Sequence, residues 1–170
     1  MNGERHRRAA RAIVRSADGR VLMMRGEDPA DPGRGGFWFT PGGGIDDGES
    51  VDDAIRRELR EETGLEVDRV GPVVLHRRDR FPMLGETWSQ DEAIVLVGVE
   101  AAFAPITTGL ETLEASVITE LRWFSVGELR AVDEAVYPRC LVDLLDAIAV
   151  TGPPLEPWVE DLSGSAHPGE

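Results

Sequence analysis

The sequence predicts an α+β fold built around a mixed β-sheet. Two observations support this. Short apolar runs of strand length stand on both sides of one well-capped helix, and two further helices follow, so the element order is strands, helix, strands, helices. Length and composition agree: 170 residues with 41% hydrophobic side chains suit one packed domain rather than a disordered chain.

The elements follow in order. Residues 9–16 (AARAIVRS) read as a strand, and Asp18-Gly19 turns the chain into a second strand over 20–25 (RVLMMR). Residues 26–36 are rich in Gly, Pro and Asp and form a loop. Phe37, Trp38, Phe39 and Thr40 make a short aromatic strand that Pro41-Gly42-Gly43-Gly44 breaks. Residues 50–63 are the clearest helix, with Ser50 as N-cap, Asp53 three residues on, and Gly64 at the C′ position. Residues 70–76 and 93–99 read as strands separated by a polar segment containing Pro82 and Gly85. Residues 121–124 form one more strand, and Ser125 with Glu128 has the form of a capping box. Tyr137-Pro138 opens a last helix running to about Val150, where Gly152-Pro153-Pro154 stops it. The expected organisation is a single domain over 1–150 and a loosely held tail over 151–170.

Charge narrows the partners. The formal net charge is −14, with 18 basic and 32 acidic side chains. Such a surface repels nucleic acid and anionic membrane, so neither is expected as a partner. A small anionic substrate would also be repelled unless a cation or local arginines reverse the field, which favours a metal site. Every basic residue is arginine, so lysine-based covalent chemistry is excluded. The lone Cys140 has no disulfide partner, no apolar leader stretch is visible and no run spans a bilayer. A cytoplasmic protein is expected.

The helix over 50–63 carries an unusual pattern. At 100° per residue, Glu58, Glu61 and Glu62 fall within an arc of about 100°, on the stripe that Val51, Ala54 and Ile55 make apolar in the first turns. Stacked like charges at this spacing repel, so something positive should stabilise them. A hard divalent cation is the economical answer, since it takes oxygen ligands and completes its shell with waters and substrate phosphates. Arg57 is the other counter-charge, expected to orient a carboxylate. Gly42, Gly43 and Gly44 let backbone approach a ligand closely at a helix start and are candidate substrate-binding residues.

The whole spacing is more specific than the cluster. Gly43, five residues, Glu49, seven residues, Arg57-Glu58-Leu59, one residue, Glu61-Glu62, one residue and Gly64-Leu65 resembles the complete Nudix box. The lead-in WFTPGGG and the step Arg122-Trp123-Phe124-Ser125 followed by Glu128-Leu129 extend the resemblance over most of residues 8–150. It implies a Nudix-type α/β/α sandwich with a mixed β-sheet. The implied reaction is hydrolysis of a nucleoside diphosphate linked to another group, giving a nucleoside monophosphate and the phosphorylated remainder. By position, Glu58, Glu61 and Glu62 correspond to the metal-binding glutamates for Mg²⁺, with Mn²⁺ as the alternative. Arg57, Glu58 and Glu61 are the candidate catalytic residues. The cation would clamp the pyrophosphate and activate the attacking water. A homodimer is compatible with the family.

Several points stay open at this stage. The general base lies in the box (Glu58 or Glu61) or outside it (Glu92 or Glu114), with a solvated surface carboxylate the better reading of the last two. Arg77, Arg78 and Arg80 meet phosphates or simply alternate along a strand edge. Trp38, Trp88 and Trp123 are base-stacking or packing residues. Pro82 lies 17 residues beyond Leu65, close to a spacing seen in some ADP-ribose pyrophosphatases without matching it. The alternative function is a domain that binds a nucleotide or nucleotide-sugar without hydrolysis. An isoprenoid diphosphate isomerase using Cys140, and removal of a nucleotide cap from RNA, rank lower.

Overall fold

The computed structural model of the chain describes residues 4–107 and 116–164. Among the described residues the strands are β1 (Glu4–Ser16), β2 (Val21–Gly26), β3 (Phe37–Phe39), β4 (Gly42–Gly44), β5 (Val73–Met83), β6 (Glu86–Val99), β7 (Ile118–Phe124), β8 (Ala135–Tyr137) and β9 (Trp158–Asp161). The helices are α1 (Val51–Thr63), α2 (Val126–Ala131) and α3 (Leu141–Thr151). One mixed sheet runs β8-β3-β2-β1-β6-β5-β9, with β4 also pairing with β1 and β7 with β2.

Period-two alternation splits the sheet into two apolar faces. Ala10, Ala12, Val14, Leu22, Val95 and Val97 face α1 and pack on its Ala54, Ile55 and Leu59. Ile13, Met23, Leu75, Ile94 and Phe124 face the other way, onto Leu129 of α2 and Leu141, Leu144, Leu145 and Ile148 of α3. Each fully buried leucine or isoleucine contributes about 1.5–3 kcal/mol, so both helical layers are held chiefly by this burial. The α+β architecture with helices on both faces of a mixed sheet is the one expected.

The caps are also as read. Ser50 Oγ accepts from Asp53 N at 3.1 Å, and Gly64 at φ 75° donates to Arg60 O at 3.1 Å. Ser125 and Glu128 complete their capping box reciprocally.

Five expectations are corrected. Strand β1 begins at Glu4 rather than Ala9, because its polar residues pair in parallel with β6 all the way from Glu4↔Thr87 to Ser16↔Val99. The glycines after Pro41 do not end strand structure: β4 pairs antiparallel with β1, and a Cβ at Gly42 (φ 128°) would lie 2.2 Å from Ala10 O, so only glycine permits the approach. The polar segment around Pro82 and Gly85 is the far half of a long β5–β6 hairpin, closed by Leu84 and Gly85 at positive φ between Met83 and Glu86. Residues 135–137 form β8 beside β3, so the last helix starts at Leu141. The tail is not loose throughout, since β9 pairs in parallel with β5 from Leu75↔Trp158 to Arg78↔Asp161.

Candidate active site

Two clusters of charge meet where β4 crosses the end of α1. The first belongs to α1 itself. Its acidic stripe packs beneath the β4 glycines, and burial there leaves Glu58 only 4% and Glu62 only 1% exposed. Glu62 Oε2 accepts from Gly42 N at 2.7 Å. The Glu58 carboxylate lies directly against Gly43, where an added Cβ would stand 2.5 Å from Glu58 Oε1. Arg57 ties the cluster together. It donates to both Glu49 oxygens at 3.0 and 2.8 Å, to Glu58 Oε1 at 2.7 Å and to Gly44 O at 2.9 Å. Hydrogen bonds from Arg57 hold the Glu49 carboxyl below its ordinary range, against a smaller opposing effect of burial. Glu61 is different: its side chain is 33% exposed and reaches Arg57 only at 3.8 Å.

The second cluster lies on the sheet face opposite α1, where the apolar layer gives way to charge. On β5, Arg77 and Asp79 are buried while His76, Arg78 and Arg80 are exposed. On β6, Gln90 and Glu92 are buried in register beside them. Glu92 Oε1 accepts from Arg11 Nε at 2.6 Å and from Gln90, and Oε2 accepts from Arg77 Nη1 at 2.8 Å. Arg77 also bonds Asp79, and Arg7 bonds Gln90. Burial alone would push the Glu92 carboxyl up, but the Arg11 and Arg77 guanidiniums overcome it and hold the group below the carboxylate range.

These clusters border one cavity of about 160 Å³. Gly42, Gly43 and Glu62 form one rim and Arg7, Arg11, Arg34 and Arg77 supply positive charge. Phe37, Phe39, Phe81, Trp88 and Tyr137 give aromatic walls. Two buried polar atoms of lining residues, Thr40 Oγ1 and Trp88 Nε1, have no hydrogen-bond partner.

The structure sorts the candidates. Glu58 and Glu62 come together under β4 with Arg57 beside them, and Glu61 sits at the open edge. Gly42 and Gly43 line the cavity, whereas Gly44 gives its carbonyl to Arg57. Of the arginines, Arg77 lines the cavity and Arg78 and Arg80 do not. Trp88 lines it too, with Arg7 stacked 4.9 Å over its ring. Trp38 packs edge-on against Phe124, and Trp123 packs edge-on against Phe103 and donates to its carbonyl. Glu92 is no solvated surface carboxylate, which corrects that reading. Both its oxygens are taken by donors and its proton affinity is depressed, so it is a poor base. Glu114 lies outside the described residues. Burial, with a smaller effect of nearby Glu160, pushes the Cys140 thiol up to about 12, so it stays protonated and unreactive. The buried floor of Arg11, Arg77 and Glu92 escaped the sequence reading, because residues 76–80 are all polar and their alternation is one of burial alone.

Among the described residues no three His, Cys, Asp or Glu side chains converge into a closed metal cage. The donors at the α1–β4 junction are all carboxylate oxygens, and the β4 backbone is pressed against one of them. An open, all-oxygen set fits a small hard cation that keeps several waters and takes phosphate oxygens, so the residues suit that class of ion.

Comparisons agree with this geometry. A sequence model described as the NUDIX domain matches residues 5–144. A Bacillus subtilis protein provisionally named an 8-oxo-dGTP diphosphatase is 28% identical over 117 residues, 69% of this chain and 65% of that protein. An RNA pyrophosphohydrolase of Gluconacetobacter diazotrophicus is 42% identical over 64 residues, 36% of this chain and 38% of that protein. The chain thus spans less than two thirds of each of these relatives. Among solved structures, the MutT protein of Methanosarcina mazei aligns with TM-score 0.59 at 18% identity, covering 86% of this chain and 95% of that one. An Ap4A hydrolase of C. elegans aligns with TM-score 0.54 at 17% identity, covering 85% and 98%. No helix among the described residues is long and apolar enough to cross a membrane. With the family match extending from β1 into α3 around the Gly43–Leu65 spacing, the chain belongs to the NUDIX domain family.

Proposed function

We propose that the chain hydrolyses a pyrophosphate bond in a nucleoside diphosphate linked to another group, releasing a nucleoside monophosphate and the phosphorylated remainder. One observation carries this reading: a single cavity joins the acidic α1–β4 junction to aromatic walls and four arginines. The acidic end suits a cation with its pyrophosphate, the floor's arginines and carboxylates balance so that they add no further negative charge there, and the rings suit a base.

Glu58, Glu61 and Glu62 would hold Mg²⁺, with Mn²⁺ as the alternative. Bound there, the ion supplies positive charge against the phosphate oxygens and acidifies water. Arg57 keeps Glu58 oriented, and Gly42 N keeps Glu62 oriented. Glu61 is the most solvent-open of the three and is the group suited to accept a proton from attacking water. Gly42 and Gly43 contribute the backbone rim of the substrate site. The lone Cys140 is compatible with a reducing, cytoplasmic setting.

Relatives named RNA pyrophosphohydrolases favour a pyrophosphate bond on RNA as a second substrate. The net charge of −14 opposes it.

The test is product chromatography with and without Mg²⁺, comparing wild type with Glu62→Gln. The panel holds ADP-ribose, NADH, dinucleoside polyphosphates, nucleoside triphosphates including 8-oxo-dGTP, nucleotide sugars and a 5′-triphosphorylated oligonucleotide. Metal-dependent cleavage lost in the variant supports the hydrolase and names its substrate. No turnover, with tight metal-independent binding of one compound, replaces it with a sensing domain.

A further inference from the structure

We propose that Glu160, on the C-terminal strand β9, is a positioning residue for the nucleotide cavity, holding Arg77 in its floor and the Tyr137–Cys140 corner in its wall. The inference rests on the cavity being the substrate site, and it concerns a strand that begins past residue 144, where the family match ends.

The geometry begins with register. Strand β9 pairs in parallel with β5 so that Glu160 stands beside Arg77. Glu160 Oε2 accepts from Arg77 Nε at 2.9 Å, and both side chains are more than nine-tenths buried. The same carboxylate accepts from two main-chain groups ahead of α3, with Oε1 on Cys140 N at 2.8 Å and Oε2 on Arg139 N at 3.2 Å. Those amides lie at an end of α3 where the Cys140 side chain makes no cap hydrogen bond. Glu160 therefore satisfies orphan amides and neutralises a buried guanidinium with one group.

Arg77 and the residues just ahead of the tethered amides face the cavity. Arg77 lines its floor, Tyr137 and Pro138 line its wall, and Arg77 lies 5.2 Å over the Tyr137 ring. Arg77 holds three carboxylates, Asp79, Glu92 and Glu160, each on a different nitrogen. Without Glu160, Nε loses its acceptor, and the guanidinium is held against the tyrosine ring by Asp79 and Glu92 alone. The corner carrying Tyr137 loses its tether at the same time. The wall and floor that meet the base would loosen, while the α1–β4 junction stays intact.

The experiment uses the full chain as wild type, Glu160→Gln, Glu160→Ala and the exposed control Asp161→Ala, with two readouts. Hydrogen exchange over 135–144 should rise in both Glu160 variants and not in the control. Steady-state kinetics on the best panel substrate should show KM raised about tenfold to a hundredfold with kcat held, and Glu160→Gln less affected than Glu160→Ala. A purely structural role predicts lower thermal stability with KM unchanged in the folded fraction, and that result overturns the proposal. If Glu160→Ala does not fold, the Gln variant decides. If wild type turns over nothing, the hydrolase reading fails by itself, and unchanged exchange in the Glu160 variants overturns the positioning role separately.

Discussion

The two charged clusters use the same pieces to opposite ends. At the α1–β4 junction one arginine, Arg57, serves Glu49, Glu58 and Glu61, with Glu62 buried alongside on a backbone amide. On the sheet floor, Arg7, Arg11 and Arg77 stand among Asp79, Glu92 and Glu160, so the signs balance. Buried charge is tolerated only when paired and hydrogen-bonded. The floor meets that condition by itself and is a permanent part of the fold. The junction retains an anionic surplus that a divalent cation would neutralise. Excess marks where chemistry is expected, and balance marks where shape is kept.

Removing a member from each cluster is the strongest way to break this contrast. Glu92→Ala leaves Arg11 and Arg77 without their shared carboxylate and should cost about 3–5 kcal/mol, read from denaturant unfolding. Glu92→Gln sharpens the point through pH. The native carboxyl titrates below its ordinary 4.5, so its stabilisation is present above that value and is lost as pH falls through the lower folded one. Wild type should therefore weaken on acidification below about 4.5, and the Gln variant should show a flatter profile.

Glu62→Gln keeps an acceptor for Gly42 N while removing charge from the surplus side. Turnover should fall about 10²–10³-fold, with metal-free melting temperature unchanged or raised because a repelling charge has gone. A large loss of stability there would erase the distinction between the clusters. Gly43→Ala should cost about 1–3 kcal/mol, because Glu58 has to yield to the new methyl group, and metal-dependent activity should fall with it. The smallest change is Ser50→Ala at the start of α1. It should cost about 1 kcal/mol in thermal denaturation and leave KM alone, since the cap supports the helix without touching either cluster.

The junction was legible because its information is local. Glycine, arginine and glutamates lie within residues 43–65, and helical geometry alone puts Glu58, Glu61 and Glu62 on one stripe. The floor was much less legible. Arg77 and Asp79 read as part of a polar connection, because charged residues on a strand usually face solvent and the carboxylates that bury Arg77 are mostly remote in the chain. Their partners come from far away: Arg11 is 81 residues from Glu92, and Glu160 is 83 from Arg77. Strand β9 was missed for the same reason, since four residues containing Glu160 and Asp161 carry little pattern of their own.

By itself, then, the sequence determined the caps of α1, the acidic stripe on that helix, the order of the longer elements and the family. Each rests on spacings within a few turns of chain, which backbone geometry converts directly into proximity. Only the tertiary structure decided which carboxylates are buried, that Glu92 is a locked anchor rather than a base, and that β9 braces Arg77 behind the cavity floor. A carboxylate's burial and proton affinity depend on which guanidiniums surround it in space, and the pairing of β1, β5, β6 and β9 brings those together from opposite ends of the chain.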